Sequence, residues 1–217
     1  MHWVYYFGRG LIRFLLILFG RWKVIGKENV PAEGPLLVIC NHLHIADPPI
    51  VATFLPRKCV FMGKDELFRH AWSRFWVKNF GAFPVKRDTF DRESLRQAES
   101  WLKKDFCVII FPEGGRSREG KLIEAMPGAA LLVSRLGVPV LPVAITGTEH
   151  FRHLKWSFFH HPLVTVTYGK PFQPHSGDGK LAKKARKELI DDMMKEIAAL
   201  LPPEYRGIYG DSNDAGS

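Results

Sequence analysis

Short, wholly apolar runs alternate along this chain with longer stretches in which apolar residues recur every three or four positions. Runs at 36–40, 59–63, 107–111 and 138–145 carry almost no polar residue, the pattern of strands covered on both faces. Two more strands are expected, at 163–168 and at 22–30, the latter ending in the proline turn at 31–35. The periodic stretches predict helices over 48–55, 66–79, 91–104 and 127–136. Leu95, Ala98 and Leu102 mark the buried face of the third. Leu181, Ala185, Leu189, Met193 and Ile197 repeat every four residues and give an amphipathic last helix. Strands that alternate with helices predict an α/β protein: one domain with a mixed, mostly parallel sheet flanked by helices. No repeat or internal linker interrupts 22–210, and the polar tail at 211–217 reads as disordered.

The N-terminus stands apart. Residues 3–19 are almost wholly apolar or aromatic, broken only by glycines and by Arg9 and Arg13. A spanning helix needs ~20 apolar residues, and a central arginine costs ~2.5–3.5 kcal/mol. Arg9 and Arg13 are four apart and share a helix face. With Trp3, Tyr5 and Tyr6 suited to a headgroup region, 1–21 reads as a membrane-interfacial helix, helped by Arg21 and Lys23. An uncleaved signal anchor and a helix packed on the domain are the alternatives; no small-x-small site supports a cleaved signal.

Charge narrows the partners. Among 217 residues, 31 Lys and Arg face 22 Asp and Glu, a formal +9, so an anionic partner is expected. An anionic membrane surface or a phosphorylated substrate fits. Nucleic acid does not, since neither zinc-finger spacing nor a single-strand-binding signature is present. Cys40, Cys59 and Cys107 each lie in or beside an apolar run and read as buried thiols of a reducing compartment.

Three short segments carry chemistry. At the end of the run 36–40, His42 and Asp47 stand five apart. On an ideal helix that spacing separates them by ~140°, so pairing requires a turn. Pro48 supplies one, and leaves Asp47 two candidate jobs: N-cap of the helix at 48–55, or orienter of His42. His44 raises a metal alternative, but local spacing offers no third ligand beyond Asp47. The second segment, 111–118, is Phe-Pro-Glu-Gly-Gly-Arg-Ser-Arg, in which glycines open the backbone and Arg116 and Arg118 suit a phosphate. The third, 81–87, reads as a glycine–proline turn ending in Lys86 and Arg87.

Together with the run at 138–144, these segments resemble the glycerolipid acyltransferases, the 1-acylglycerol-3-phosphate O-acyltransferase type above all. The blocks are Asn-His-x4-Asp at 41–47, Gly-x-Phe-Pro-Val-x-Arg at 81–87, Phe-Pro-Glu-Gly-x-Arg-Ser at 111–117 and Val-Pro-Val-Leu-Pro-Val-Ala at 138–144. The resemblance covers roughly 22–170, and makes 22–210 an acyltransferase domain. It implies that His42 is a general base for an acceptor hydroxyl and Asp47 its orienting partner. It implies that Lys64, Arg87, Glu113, Gly114 and Arg116 bind the acceptor, with Arg87 and Arg116 on its phosphate, and that Pro142 shapes an acyl-binding wall. The implied donor is acyl-CoA or acyl-carrier protein, the implied acceptor a lysophospholipid, and no cofactor or metal is called for. The implied location is the cytoplasmic face of the cell membrane, monotopic or peripheral.

Two departures bear on the acceptor. Gly115 stands where the family usually has threonine, and Met126 and Pro127 precede the Gly128-Ala129 pair where a lysine is frequent. Glycerol 3-phosphate or another lysolipid is therefore an alternative acceptor. A Ser117 esterase or thioesterase is the rival chemistry, but Glu119 crowds the position where a nucleophile elbow needs its second glycine. The aromatic and basic stretch at 151–159 is read as a second interfacial contact or an ordinary packed loop.

Overall fold

The computed structural model describes residues 2–85, 92–174 and 183–210, without the side chains of His2, Lys64, Val85 and Leu154. Seven strands form one sheet: β1 (Arg21–Ile25), β2 (Leu36–Cys40), β3 (Cys59–Lys64), β4 (Ala82–Val85), β5 (Cys107–Ile110), β6 (Val140–Thr146) and β7 (Leu163–Tyr168). Their order is β1-β7-β6-β2-β5-β3-β4. Strands β2 to β6 run parallel, β7 runs antiparallel to β6, and β1 follows β7 in parallel. The α/β, mostly parallel expectation holds.

The fully apolar central strands have the physical reason given by their pattern. Leu36, Val38 and Cys40 of β2 join one core, whereas Leu37 and Ile39 join the other. Strand β5 divides likewise, Cys107 and Ile109 against Val108 and Ile110. Successive side chains point to opposite faces, so each strand feeds two cores and tolerates no polar position. Helices α1 (His2–Phe19) and α2 (Asp47–Phe54) pack on the first face. Helices α4 (Arg92–Leu102), α5 (Gly128–Leu136) and α7 (Lys183–Leu200) cover the second. Helices α3 (Ala71–Asn79) and α6 (Leu154–His160) flank α1 through the ring pairs Trp76–Phe7 and Phe158–Phe19.

The structure corrects several boundaries. The first strand ends at Ile25 and a short 3-10 helix, Lys27–Asn29, follows, because Gly26 turns the chain with φ of 71°. The single helix expected over 66–79 is a 3-10 turn, Asp65–Phe68, then α3. Within the glycine–proline turn expected over 81–87, Ala82–Val85 form strand β4; it lies at the sheet's edge, where Pro84 lacks no ladder bond that a neighbour needs. Stretch 151–159 holds α6. Arg87 and the tail 211–217 lie outside the described residues.

Arg9 and Arg13 share a face of helix α1, as their spacing predicts, and that face turns inward. Arg9 donates to the Leu55 carbonyl at 2.7 Å and Arg13 lies over the Phe54 ring, so both face the domain and satisfy the end of α2. The outer face is left apolar: Trp3 is 68% exposed, and Tyr6, Phe7, Phe14 and Ile17 are exposed beside it. No described helix is long and apolar enough to cross a membrane.

Candidate active site

The carboxyl-terminal ends of the parallel strands share one edge of the sheet, and the turn after β2 opens there. Asn41 fixes its start. The Asn41 side chain donates to the Ile145 carbonyl and accepts the Ile145 amide, both at 2.8 Å, extending the β2–β6 pairing by one side chain. His42 and Asp47 then meet across a tight turn, with His42 Nδ1 2.9 Å from Asp47 Oδ2. The same oxygen accepts the Leu43 and His44 amides, at 2.6 and 2.7 Å. Oδ1 accepts the Thr148 hydroxyl at 2.6 Å.

Asp47 thus orients His42 and does not cap the helix it begins. Ala46 is the N-cap residue, without a side-chain cap bond, and Asp47 bonds backward to the turn. Its side chain is 0% exposed, so the four donors replace its lost hydration. A carboxylate can only accept, so His42 presents its Nδ1 proton to Asp47 and leaves Nε2 with a lone pair. The His42 side chain is 16% exposed, and its ring lies 4.4 Å from that of Phe111. This is a base–orienter pair at an open edge.

Glu113 works on the protein. Its Oε1 accepts the His42 amide at 2.9 Å and its Oε2 the Ile123 amide at 3.3 Å, and the residue is buried. Through the first of these bonds it fixes the backbone of His42. Burial pushes its carboxyl up to about 7, against the two amide bonds, which pull it down. Gly114 follows with φ of 69°, and a Cβ there would strike the Met126 sulfur. Gly115 has open space around it.

Arg116 is exposed on this loop, with no ion pair among the described residues, and it lies near enough to help lower the pKa of His44, a shift due chiefly to burial. The loop's far side is pinned: Arg152 donates to the Ser117 and Arg118 carbonyls, and the Ser117 amide to the His42 carbonyl. The Ser117 hydroxyl is buried and accepts the Lys121 amide, so it presents no nucleophile at the open edge. Lys64 ends β3 at the same edge of the sheet. His44 turns its Nδ1 to the Ala46 amide.

Thr148 and Arg152 belong to a short 3-10 helix, Thr148–Arg152, that sequence reading passed over. Gly147 starts it with φ of 87°, where a Cβ would collide with the Leu163 carbonyl. Its hydroxyl holds the dyad and its guanidinium the arginine loop.

Comparison with known proteins gives this geometry a context. A family model described as Acyltransferase matches residues 21–146. The chain is 28% identical over 200 residues, 89% of its length, to the 1-acyl-sn-glycerol-3-phosphate acyltransferase of Bacillus subtilis, of which it covers 96%. A Streptococcus pneumoniae protein of the same name is 29% identical over 176 residues, 77% of this chain and 62% of that protein. The fold is similar to the crystal structure of the 1-acyl-sn-glycerophosphate (LPA) acyltransferase PlsC from Thermotoga maritima, with a TM-score of 0.67 and 25% identity over 91% of this chain and 78% of that one.

Two outcomes follow from the hydrogen bonds around His42. Thr148→Val keeps the shape but leaves Asp47 Oδ1 without its donor, a loss of roughly 1.5–3 kcal/mol for a charged acceptor. Steady-state kinetics should show kcat lower by about ten- to a hundredfold with KM little moved, and Thr148→Ser should restore it. Glu113 supplies a pH test of opposite sign to an ordinary ion pair. Its native pKa lies above the unfolded one, so its contribution to stability is full below the unfolded value of 4.5 and is lost as pH rises through about 7. The thermal midpoint of the native protein, measured against that of Glu113→Gln, should fall between about pH 5 and 8.

Proposed function

Because the chain belongs to the acyltransferase family, we propose that it transfers an acyl group from a thioester to the free hydroxyl of 1-acylglycerol 3-phosphate, giving phosphatidic acid. The observation that carries this is the His42–Asp47 pair at the sheet edge, one loop away from the exposed Arg116, with neither Nε2 nor Arg116 in an ion pair among the described residues. The relatives from Bacillus subtilis and Streptococcus pneumoniae, both 1-acyl-sn-glycerol-3-phosphate acyltransferases by name, support the acceptor.

The chemistry closes without a covalent enzyme intermediate. His42 Nε2 takes the proton of the acceptor hydroxyl as its oxygen attacks the thioester carbonyl carbon. The tetrahedral intermediate collapses, the carbon–sulfur bond breaks, and the departing sulfur takes the proton from Nε2. Ester and thiol are the products, and the imidazole returns neutral. Asp47 stabilises the imidazolium that exists between the two proton transfers. Arg116, with Arg87 as a second cation, binds the acceptor phosphate and brings the hydroxyl to Nε2, which converts a bimolecular step into a positioned one. Lys64, at the end of β3, is a third candidate cation for the same headgroup.

The acceptor is a lipid, and the outer surface of α1, α3 and α6 fits one. Trp72 is 77% and Phe159 78% exposed, with Trp3, Phe14, Phe75, Trp156 and Phe158 exposed around them. On this proposal the aromatic surface lies in one leaflet of an anionic membrane, at the cytoplasmic face of the cell, as a monotopic or peripheral enzyme. Acyl-CoA and acyl-carrier protein are the candidate donors.

Purified protein given oleoyl-CoA or oleoyl-acyl-carrier protein with a panel of lysolipids should release thiol only when an acceptor is present. His42→Ala should abolish that release, and Ser117→Ala should keep it. Thiol release without acceptor would instead mark a thioesterase, and a preference for glycerol 3-phosphate or another headgroup would move the acceptor. The membrane surface has its own test. Replacing Trp156, Phe158 and Phe159 by serine should weaken binding to anionic liposomes by roughly tenfold or more; unchanged partition would remove α6 from the interface.

A further inference from the structure

The chemistry at His42 gives no role to the segment that follows α7. Pro202 and Pro203 stand just past the end of that helix, and two short 3-10 turns follow, Pro203–Tyr205 and Gly207–Tyr209. Tyr205 and Tyr209 pack on the second core, yet both hydroxyls leave it for polar partners. Tyr209 accepts the Ala125 amide and donates to Asp191, each at 3.4 Å. Tyr205 donates to Glu149 Oε1 at 2.6 Å.

This segment seats the return limb of the arginine loop. The Leu122 amide donates to the Tyr205 carbonyl at 2.8 Å, and the next amide, of Ile123, donates to Glu113. Gly207, with φ of 52°, lies so close to Leu122 that a Cβ would strike its carbonyl oxygen. The Tyr205 hydroxyl reaches a different piece of chain, the 3-10 helix Thr148–Arg152. The Gly147 amide at the head of that helix also interacts with the Tyr205 oxygen. Glu149 Oε2 is buried without a hydrogen-bond partner among the described residues, so this carboxylate depends on the donor that Tyr205 brings to Oε1.

The same 3-10 helix supports the site twice. Thr148 donates to Asp47, and Arg152 donates to the carbonyls of Ser117 and Arg118 beside Arg116. Tyr205 therefore closes a ring of contacts. One limb runs from the His42 ring to Asp47, to Thr148 and its neighbour Glu149, and ends on the Tyr205 hydroxyl. The other runs from the His42 amide to Glu113, to Ile123 and its neighbour Leu122, and ends on the Tyr205 carbonyl. Every link is a hydrogen bond or a peptide bond. A closed ring resists shear between its limbs, so the base and the loop that bears Arg116 keep their relative position.

We propose that Tyr205 is a positioning residue for the transfer reaction, tying the helix that holds Asp47 to the loop that presents Arg116. The inference rests on the acyl-transfer reading above and adds to it a residue far along the chain. Tyr205 acts through Thr148 on the base, and through Arg152 on the loop that binds the acceptor. Loss of its hydroxyl loosens both supports together. It should lower kcat and raise the acceptor KM, whereas Thr148→Val moves kcat alone.

The test is Tyr205→Phe, which keeps the ring and the backbone carbonyl. Glu149→Ala cuts the same bond from its other end and serves as the second variant. With thiol release followed over 1-acylglycerol 3-phosphate concentration, each should lower kcat by about tenfold and raise the acceptor KM by about threefold. Thr148→Val added to Tyr205→Phe should lower kcat little beyond Thr148→Val alone, because both act through one hydroxyl on Asp47. Ile190→Val, a change in the second core, should lower the thermal midpoint and leave kcat and KM as they are. Amide hydrogen exchange needs no substrate. In Tyr205→Phe it should quicken several-fold at Leu43 and His44, bonded to Asp47, and at His153, bonded to His150, while Val108 and Ile109 of β5 keep the native rate.

Unchanged kcat and KM in an active protein would overturn the proposal, and so would unchanged exchange. Losses of kcat that multiply in the double variant would overturn it too, as would the same losses in Ile190→Val or equal quickening in β5, each of which would make Tyr205 a general stabiliser. Exchange that quickens as expected in a protein that turns over neither donor with any acceptor would sink the acyl-transfer reading alone.

Discussion

The buried carboxylate of Asp47 is the constraint on which the site depends. A charge with no solvent contact survives in a protein only when donors replace its hydration. Here the four donors come from two separate pieces of chain: the ring of His42 and the amides of Leu43 and His44 from one, and the hydroxyl of Thr148 from the other. Satisfying Asp47 therefore requires the turn after β2 to fold back on itself and β6 to lie beside β2. The sheet order provides the second condition, and the paired bonds between Asn41 and Ile145 lock it. The His42 ring is held as a consequence of burying its partner, so the tautomer needed for a base at Nε2 is built into the fold.

A second buried carboxylate stands on the other side of His42. Asp47 grips the ring while Glu113 grips the backbone amide, so the residue is held at both ends. The two acids are unlike in their surroundings. Asp47 has four donors, whereas Glu113 has two amide bonds and a burial cost that outweighs them. The charge of Asp47 adds to that cost. Glu113, its carboxyl pushed up to about 7 by burial, ties the His42 turn to the segment at Ile123, and protonating it weakens its hold on an amide of each.

How much of this was legible follows from the range of the interactions. The central strands read directly, since two-sided burial leaves runs without polar residues. The His42–Asp47 pair read as well, because it spans one turn. Strand β4 did not: Gly81 and Pro84 are turn residues by local rule, and only an edge position, fixed by the whole sheet, admits the proline. Thr148 was invisible for a related reason. Its partner lies 101 residues away, and nothing short of the adjacency of β2 and β6 brings them together. In α1 the apolar character was evident but its orientation was not. Arg9 and Arg13 share a face, as their spacing requires, yet that face turns inward to Leu55 and Phe54 because the end of α2 offers a carbonyl and a ring.

The catalytic edge lies between two surfaces of opposite character, and the sheet is what keeps them apart. Apolar side chains from α1, α3 and α6 cover one side, and basic side chains from α4, α5 and α7 line the other. Alternation along each strand feeds one core under each surface, so neither can shift without moving the strand that ends at His42 or Glu113. Direct transfer between two substrates suits such a layout. With the Ser117 hydroxyl buried and bonded to the Lys121 amide, no side chain of that loop is free to store the acyl group. The proposed reaction accordingly brings donor and acceptor to this edge together. On the proposed reaction a lipid hydroxyl enters from the aromatic side and meets the thioester at His42 Nε2, while Asp47 holds the ring through Nδ1.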